Sequence, residues 1–219
     1  MKLVNQALKT YLETKIIPQY KTLDLAHQPN HVYMVIEKSL DIAKDYEVDI
    51  NMIYAIACFH DLGLLIDRKT HHIEGGKLLV KDQFIKSFFN EANIQIMKEA
   101  IEDHRASLKQ PPRSIYGKII SEADRMIDPE MIIKRSFLYQ MHLETNHQFD
   151  HLYPMVRDHI VKKYGDHGYL KLWLNYELHT KILNDFRRII KDEPQFKKLC
   201  KHYYEQLSTE ESDTNNGYH

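Results

Sequence analysis

Residues 50–61 read INMIYAIACFHD, and this stretch predicts the centre of the fold. Its first ten residues are apolar on nearly every side of a helix, so the helix belongs inside a hydrophobic core. Asp49 precedes it as a candidate N-cap, and Gly63 follows it as a stop signal. The stretch therefore places a histidine and an aspartate, His60 and Asp61, at the end of a buried helix. An ionised carboxylate there is costly unless it is hydrogen-bonded, paired or bound to a metal.

The rest of the sequence is also helical in pattern. Apolar residues recur at helical spacing in residues 32–43 and 94–101, and alternating strand patterns are scarce. The chain has seven glycines and seven prolines in 219 residues, which favours long helices. Further helices are predicted near the C-terminus, at roughly residues 130–146, 148–164, 168–191 and 195–207. We therefore expect an all-α fold.

The domain organisation is predicted to be simple. No internal repeat or linker interrupts residues 1–207, so we expect a single helical domain there. Its polar candidate residues fall at about 20–135, and about 136–207 form a helical extension. The last segment, 208–219, reads STEESDTNNGYH and is predicted to be a disordered tail because it has almost no apolar residues.

Composition excludes several classes of protein. The chain has 30 Lys and Arg against 31 Asp and Glu, with 43% hydrophobic residues, which argues against a disordered chain and against a polycation that coats nucleic acid. Only Cys58 and Cys200 are present, so neither a disulfide framework nor a four-cysteine zinc site is expected, and a reducing, cytoplasmic location is favoured. We expect no signal peptide, no membrane anchor and no nucleic-acid polymer as partner, and a homo-oligomer stays open.

Several further polar residues follow apolar stripes and are expected to face inward with the His60–Asp61 pair. His31 opens the helix after Pro29 and Asn30. Asp124 and His104 each follow apolar helical positions, and His72 begins a helix after a polar loop. A single buried histidine is more often a hydrogen-bonded core residue than a ligand, so the argument depends on the whole set. These residues are His31, His60, Asp61, His72, His104 and Asp124.

At these positions the sequence resembles the HD superfamily of metal-dependent phosphohydrolases, whose signature is H…HD…D. The pattern reads His31 in NHVYMV, His60–Asp61 in ACFHDLG and Asp124 in SEADRMID, and the resemblance covers about residues 20–135. Within the superfamily the chain is most similar to small bacterial single-domain hydrolases. The resemblance implies an HD-type helical bundle followed by the C-terminal extension.

The same resemblance implies a ligand set for one or two divalent metal ions. His31, His60, Asp61 and Asp124 would hold the first ion, His72 and His104 would help to hold a second, and Asp61 would bridge them. His71 and His72 are adjacent, so only one can face the cluster, and His72 is our choice. Imidazole and carboxylate donors favour manganese or iron, with cobalt, nickel, zinc or magnesium as further options.

We expect the activity to be hydrolysis of a small phosphorylated metabolite, a nucleotide in the first instance. A metal-activated water needs no protein nucleophile, and the sequence has neither a GxSxG segment nor a GxxxxGK[ST] loop. Asp61, His104 and Arg125 are the candidates for catalysis. The candidates for phosphate binding, each of which could equally be a solvated surface charge, are Lys69, Lys77, Arg105 and Arg125.

Two alternatives belong to other functional classes. The first is a non-catalytic ligand-binding or regulatory module that keeps the fold without the chemistry. The second is an oxidative enzyme, since histidine-rich di-iron sites in HD-type folds can activate dioxygen. Substrate-dependent oxygen consumption would distinguish the second from hydrolysis.

Overall fold

A computed structural model describes residues 3–24, 27–125, 127–174 and 176–215, with backbone alone for 208–215. The described residues are helical and include no strand, which confirms the all-α prediction. They divide into two compact units. The first unit holds the residues up to Arg125 together with Leu172–Leu174, and the second holds the rest of the described chain.

Seven α-helices build the first unit. Helix α1 continues through a π-helical turn at Leu12–Ile16 into a 3₁₀ turn at Ile17–Thr22. The helices are α1 (Gln6–Tyr11), α2 (Pro29–Ile42), α3 (Ile50–Phe59), α4 (His71–Lys81), α5 (Gln83–Phe88), α6 (Glu91–Glu102) and α7 (Ile115–Asp124).

Helix α3 forms the centre of this unit. Every residue from Met52 to Phe59 is buried, as its apolar sequence predicts. The side chain of Asp49 caps the helix by accepting a hydrogen bond from the backbone N–H of Asn51. Helices α2, α4, α6 and α7 all pack against α3. The end of α3 therefore lies where the ends of several other helices can meet.

Two glycines let α4 approach the end of α3 closely. A Cβ atom on Gly63, in the turn after α3, would lie 2.0 Å from the carbonyl oxygen of His71. A Cβ atom on Gly75, in α4, would lie 2.9 Å from the carbonyl oxygen of Phe59. Larger side chains at these positions would push the two elements apart, so both glycines are needed for the contact.

Four helices build the second unit: α8 (Pro129–Leu143), α9 (Phe149–Tyr164), α10 (Glu177–Lys191) and α11 (Glu193–Asn215). Aromatic side chains fill part of its core, and the ring of Phe137 lies 5.2 Å from that of Tyr204 and 5.9 Å from that of Phe149. Pro129 opens α8 at its first turn, where a missing N–H costs nothing.

Two boundaries differ from the prediction. Residues 168–174 and 176 are not helical, because the chain turns back at Gly168 and the N–H groups of Tyr169 and Leu170 donate to carbonyls in the last turn of α9. The backbone of 208–215 continues helix α11, although we predicted a disordered tail from residue 208. Residues 216–219 of that tail lie outside the described residues.

The segment Leu172–Leu174 belongs to the first unit although the chain on both sides belongs to the second. The backbone N–H of Trp173 donates to the Glu122 carboxylate over 3.2 Å. The guanidinium carbon of Arg125 lies 5.9 Å from the centre of the Trp173 ring. This tripeptide therefore packs beside the C-terminal end of α7.

Candidate metal centre

The candidate ligands come together from the ends of five helices of the first unit. His31 lies in the first turn of α2, and His60 and Asp61 directly follow α3. Asp124 is the last residue of α7, and His104 lies two residues after the end of α6. The fifth helix, α4, contributes its first residue, His71. Helix ends place polar groups at the edge of the core without interrupting a buried helix.

The first group of donors consists of His31, His60, Asp61 and Asp124. The Nε2 atoms of His31 and His60 lie 3.2 Å apart. Nε2 of His31 lies 3.2 Å from Oδ1 of Asp124, and Nε2 of His60 lies 3.3 Å from Oδ2 of Asp61. Both imidazoles are buried. Four ligand atoms therefore meet at one point, as the sequence pattern predicts.

The second group shares Asp61 with the first and adds His71 and His104. Nε2 of His71 lies 3.5 Å from Oδ1 of Asp61, and Nε2 of His104 lies 3.3 Å from the same oxygen. His31 and His60 face the other oxygen, Oδ2. The Asp61 carboxylate thus lies between two sets of imidazoles with one oxygen toward each.

Backbone carbonyls fix the orientation of three of these rings. Nδ1–H of His60 donates to the carbonyl of Ala57 over 2.8 Å, and that of His104 donates to the carbonyl of Ile101 over 2.6 Å. His71 makes the same bond to Arg68 over 2.8 Å. Because a carbonyl only accepts, Nδ1 carries the hydrogen and Nε2 presents its lone pair to the centre.

The donor chemistry fits a divalent cation. Lone pairs of imidazole Nε2 atoms converge on carboxylate oxygens, which are acceptors as well, at 3.2–3.6 Å. Such a convergence of acceptors in a buried site is unfavourable unless a shared cation or protons lie between them. Nitrogen and oxygen donors without thiolate suit first-row transition metals. The residues present therefore fit one or two metal ions.

The pKa values of the carboxyl groups show that the centre keeps its negative charge. Burial opposes ionisation of Asp61, but the neighbouring His60, His104 and His31 outweigh it and hold its pKa well below its usual range. The pKa of Asp124 is lowered as well, since His31 again outweighs burial.

The pKa values of the histidines depend on the same balance. Burial opposes protonation of His31, but the carboxylates of Asp124 and Asp61 outweigh it and raise its pKa to about 9. The pKa of His60 is raised for the same reason, mainly by Asp61 against its own burial. The first group therefore attracts positive charge, whether as protons or as a metal ion.

The choice between His71 and His72 needs correction. His71, not His72, faces Asp61 and joins His104. The helix starts at His71, one residue earlier than expected, and the contact with Gly63 fixes which face of its first turn meets the end of α3. The His72 ring lies 5.5 Å from the ring of His71, outside the donor group. Burial, followed by the charge of Arg105, lowers the pKa of His72 to about 4.

The four candidate phosphate ligands differ in their surroundings. Lys69 is exposed, and exposed Lys77 pairs with Glu74 over 2.8 Å. The Arg125 guanidinium is buried, with Nη1 3.7 Å from the Glu122 carboxylate. Arg105 donates to the carbonyl of Lys69 over 3.1 Å, and its charge acts on His71 and His72. Arg105 therefore brings its charge to His71, one of the residues that face Asp61.

Our sequence analysis did not single out His27, whose Nε2 lies 3.9 Å from Oδ2 of Asp61. His27 precedes His31 by four residues, a spacing at which two side chains can lie on one side of a helical turn. That spacing was the available signal, but residue 27 lies before the start of α2.

Comparison with known proteins agrees with this geometry. Residues 30–127 match the family model of the HD domain. The segment that supplies the candidate ligands is therefore similar to the HD-domain family. Of the candidate ligands, His31, His60, Asp61, His71, His104 and Asp124 all lie within the matched residues. No curated protein matches the chain.

One solved structure with a related description is a predicted HD superfamily hydrolase from an uncultured Thermotogales bacterium. It is 20% identical to this chain with a TM-score of 0.48, and the match covers 82% of this chain and 89% of that one. The HD domain and its histidine–aspartate cluster support a metal-dependent hydrolase. Among the described helices, none combines the length and the apolar character that crossing a bilayer requires.

Proposed function

We propose that this protein is a metal-dependent phosphohydrolase that acts on a small phosphorylated metabolite, specifically a nucleotide. The observation that carries the proposal is the position of Asp61, with one carboxylate oxygen toward His31 and His60 and the other toward His71 and His104. A carboxylate so placed can bridge two cations. Manganese and iron are the favoured metals for these donors.

The first group, His31, His60, Asp61 and Asp124, would hold one ion, and Asp61, His71 and His104 would hold the second. When bound, such ions lower the pKa of a water molecule and neutralise charge on a phosphoryl group. The chain's own residues supply the rest of the chemistry. The carbonyl-bound imidazoles of His60, His71 and His104 keep the donor geometry fixed, so no reorganisation is needed during the reaction.

The surface around the centre supports a nucleotide as substrate. Arg105 brings a positive charge to the second group, where a phosphate would bind. Leu65 and Ile66 follow the turn after Asp61 and are exposed, and Ile73 in the first turn of α4 is exposed too. Exposed apolar side chains that lie close in sequence to the charged residues of the centre would suit a ligand that joins a phosphate to a base and a sugar.

The test is a nucleotide screen with protein purified in the absence of chelators. Release of phosphate or pyrophosphate is measured with manganese, iron, cobalt and magnesium. We expect activity with a transition metal, and we expect Asp61→Asn and Asp124→Asn to reduce it by roughly a hundredfold or more. Asp158→Asn, which changes an exposed aspartate of α9, serves as the control and should retain full activity.

Three results would contradict the proposal. The first is no release from any nucleotide with any of the metals. The second is turnover that Asp61→Asn leaves unchanged, which would favour a non-catalytic module with contaminating activity. The third is substrate-dependent oxygen consumption without phosphate release, which would favour the oxidative alternative.

A further inference from the structure

His27 lies at the centre but outside both donor groups. Its Nε2 is 3.9 Å from Oδ2 of Asp61, and its ring centre is 6.0 Å from that of His31. The donor atoms within each group all lie within 4.8 Å of one another, and His27 belongs to neither group. It faces the centre without sharing the position that an ion would occupy.

His27 is also more open to solvent than the residues that it faces. Its side chain is 19% exposed, compared with 7% for Asp61 and 5% for His31. A ligand that enters from solvent and reaches Asp61 would therefore meet His27 at the edge of the centre. The side chain is placed to touch what the centre binds.

A carboxylate holds the His27 ring in this orientation. Nδ1–H of His27 donates to Oδ1 of Asp24 over 2.7 Å, so Nε2 is the nitrogen that faces Asp61. Asp24 in turn pairs with Arg68 through its other oxygen. The Asp24 carboxylate thus holds Nδ1 of His27 in place, and Nε2 faces the centre. An imidazole held in this way is oriented to contact a ligand.

We propose that His27 is a substrate-contacting residue whose Nε2 makes a hydrogen bond with a phosphoryl group at the Asp61 centre, with Asp24 as its positioning residue. The proposal rests on the proposed function for the identity of the substrate. No bond other than the hydrogen bond forms or breaks in this contact.

The test measures binding of inorganic phosphate to the manganese-loaded protein by calorimetry, with the manganese content of each variant measured alongside. We expect His27→Gln to weaken phosphate binding by about tenfold to a hundredfold, the range for a hydrogen bond to a charged group, with the manganese content unchanged. Asp24→Asn should weaken binding by a smaller factor, with both the manganese content and the melting temperature unchanged. His142→Gln, which changes an exposed histidine of α8, is the control and should bind like the wild type.

Three outcomes would overturn this inference: phosphate affinity that His27→Gln leaves unchanged, loss of manganese in His27→Gln, or no phosphate binding by the wild-type protein. The second would make His27 a ligand of the metal instead. The readout is binding of phosphate, not its release. A failed nucleotide screen with intact, His27-dependent phosphate binding would therefore refute the proposed function and leave this contact standing.

Discussion

The two oxygens of the Asp61 carboxylate face different neighbours, and this single side chain joins the two halves of the centre. Oδ2 faces His31 and His60, and Oδ1 faces His71 and His104. Each oxygen is an acceptor in a buried site, so each needs a positive partner. We therefore expect metal binding in the first group to depend on His31 and His60, and metal binding in the second group to depend on His71 and His104.

A matched pair of adjacent variants tests this division. His71→Gln removes a donor that faces Asp61, so we expect the bound manganese to fall from two equivalents to one. His72→Gln changes a ring outside the donor group and should keep both equivalents. Elemental analysis after exhaustive dialysis measures the difference. Equal losses in the two variants would show that the second ion is held differently.

Most candidate ligands of this centre could be predicted from the sequence, whereas the choice between two adjacent histidines depended on packing. His60, Asp61 and Asp124 could be found because each lies at the end of an apolar helical pattern, and His31 because it lies at the start of one. The choice between His71 and His72 could not, since adjacent helical residues differ by about 100° in direction and the start of α4 depends on a distant contact with Gly63. The ligand assignment itself stays a prediction until a metal is measured.

Helices α3 and α4 meet through a contact that tolerates almost no added atom, and this contact positions His71. Gly75→Ala would place a Cβ atom 2.9 Å from the carbonyl oxygen of Phe59, which is rigid backbone. A Cβ atom on Gly76 would lie 3.2 Å from the flexible Lys98 side chain and 3.3 Å from the Lys98 carbonyl oxygen, which is less crowded. The two glycines are neighbours in one helix and gain similar helical propensity from alanine.

We therefore expect Gly75→Ala to lower the free energy of unfolding by about 2 kcal/mol and to weaken binding of the second ion. Gly76→Ala should stay within about 1 kcal/mol of the wild type and keep both ions. Urea unfolding and manganese titration measure the two effects. If both variants behaved alike, the close approach of α4 to α3 would not matter for the centre.

A tyrosine–aspartate bond ties α1 to the junction between α4 and α5. The Tyr11 hydroxyl donates to Oδ2 of Asp82 over 2.6 Å, while Oδ1 of Asp82 caps α5 at Ile85. Burial and this carboxylate raise the pKa of Tyr11 from 10.0 to about 12. The unfolded chain therefore releases this proton at lower pH than the folded chain does.

The stability from this bond should be present below pH 10 and lost as the pH rises from 10 to about 12. Tyr11→Phe should cost about 1 kcal/mol at pH 8, because the hydrogen bond is partly exposed, and the cost should vanish near pH 12. Thermal unfolding of both proteins across this range gives the difference directly. A cost that stayed constant with pH would assign the stability to packing of the ring instead.

The apolar periodicity predicted which segments are helical. Where each helix begins and ends depended on capping residues, glycines and turns, which the periodicity does not show. Helix α3 begins and ends where Asp49 and Gly63 indicate. Helix α10 begins at Glu177, later than apolar spacing suggests, because Gly168 turns the chain back on α9. Capping residues and glycines are short-range signals, whereas a turn that bonds to the preceding helix depends on the fold.

The two cysteines lie in different compact units and can report on each separately. Cys58 lies in α3 of the first unit and Cys200 in α11 of the second, both buried. Burial raises the pKa of both thiols, that of Cys200 to about 12. Neither thiol should react with a disulfide reagent until its surroundings open.

Removal of metal with a chelator should speed labelling of Cys58 and leave labelling of Cys200 unchanged. A metal ion held by the candidate ligands would stabilise the first unit by mass action and slow its opening by roughly a hundredfold at about 100 times the dissociation constant. The variants Cys58→Ala and Cys200→Ala assign each rate. A parallel rise at both sites would show that the two units open together, as expected for the single domain predicted from the sequence.

Because Leu172–Leu174 belongs to the first unit, that unit is not one continuous stretch of the chain, and a single cut cannot separate it from the second unit. A fragment cut soon after residue 125 would keep every candidate ligand, yet it would lose the Trp173 N–H that donates to the buried Glu122 carboxylate, two residues before Asp124 at the end of α7. Transplanting the N-terminal segment into a chimera would have the same defect. A chimera that keeps this tripeptide must also carry the C-terminal helices, so we expect the part with the candidate ligands to be exchangeable only together with the extension.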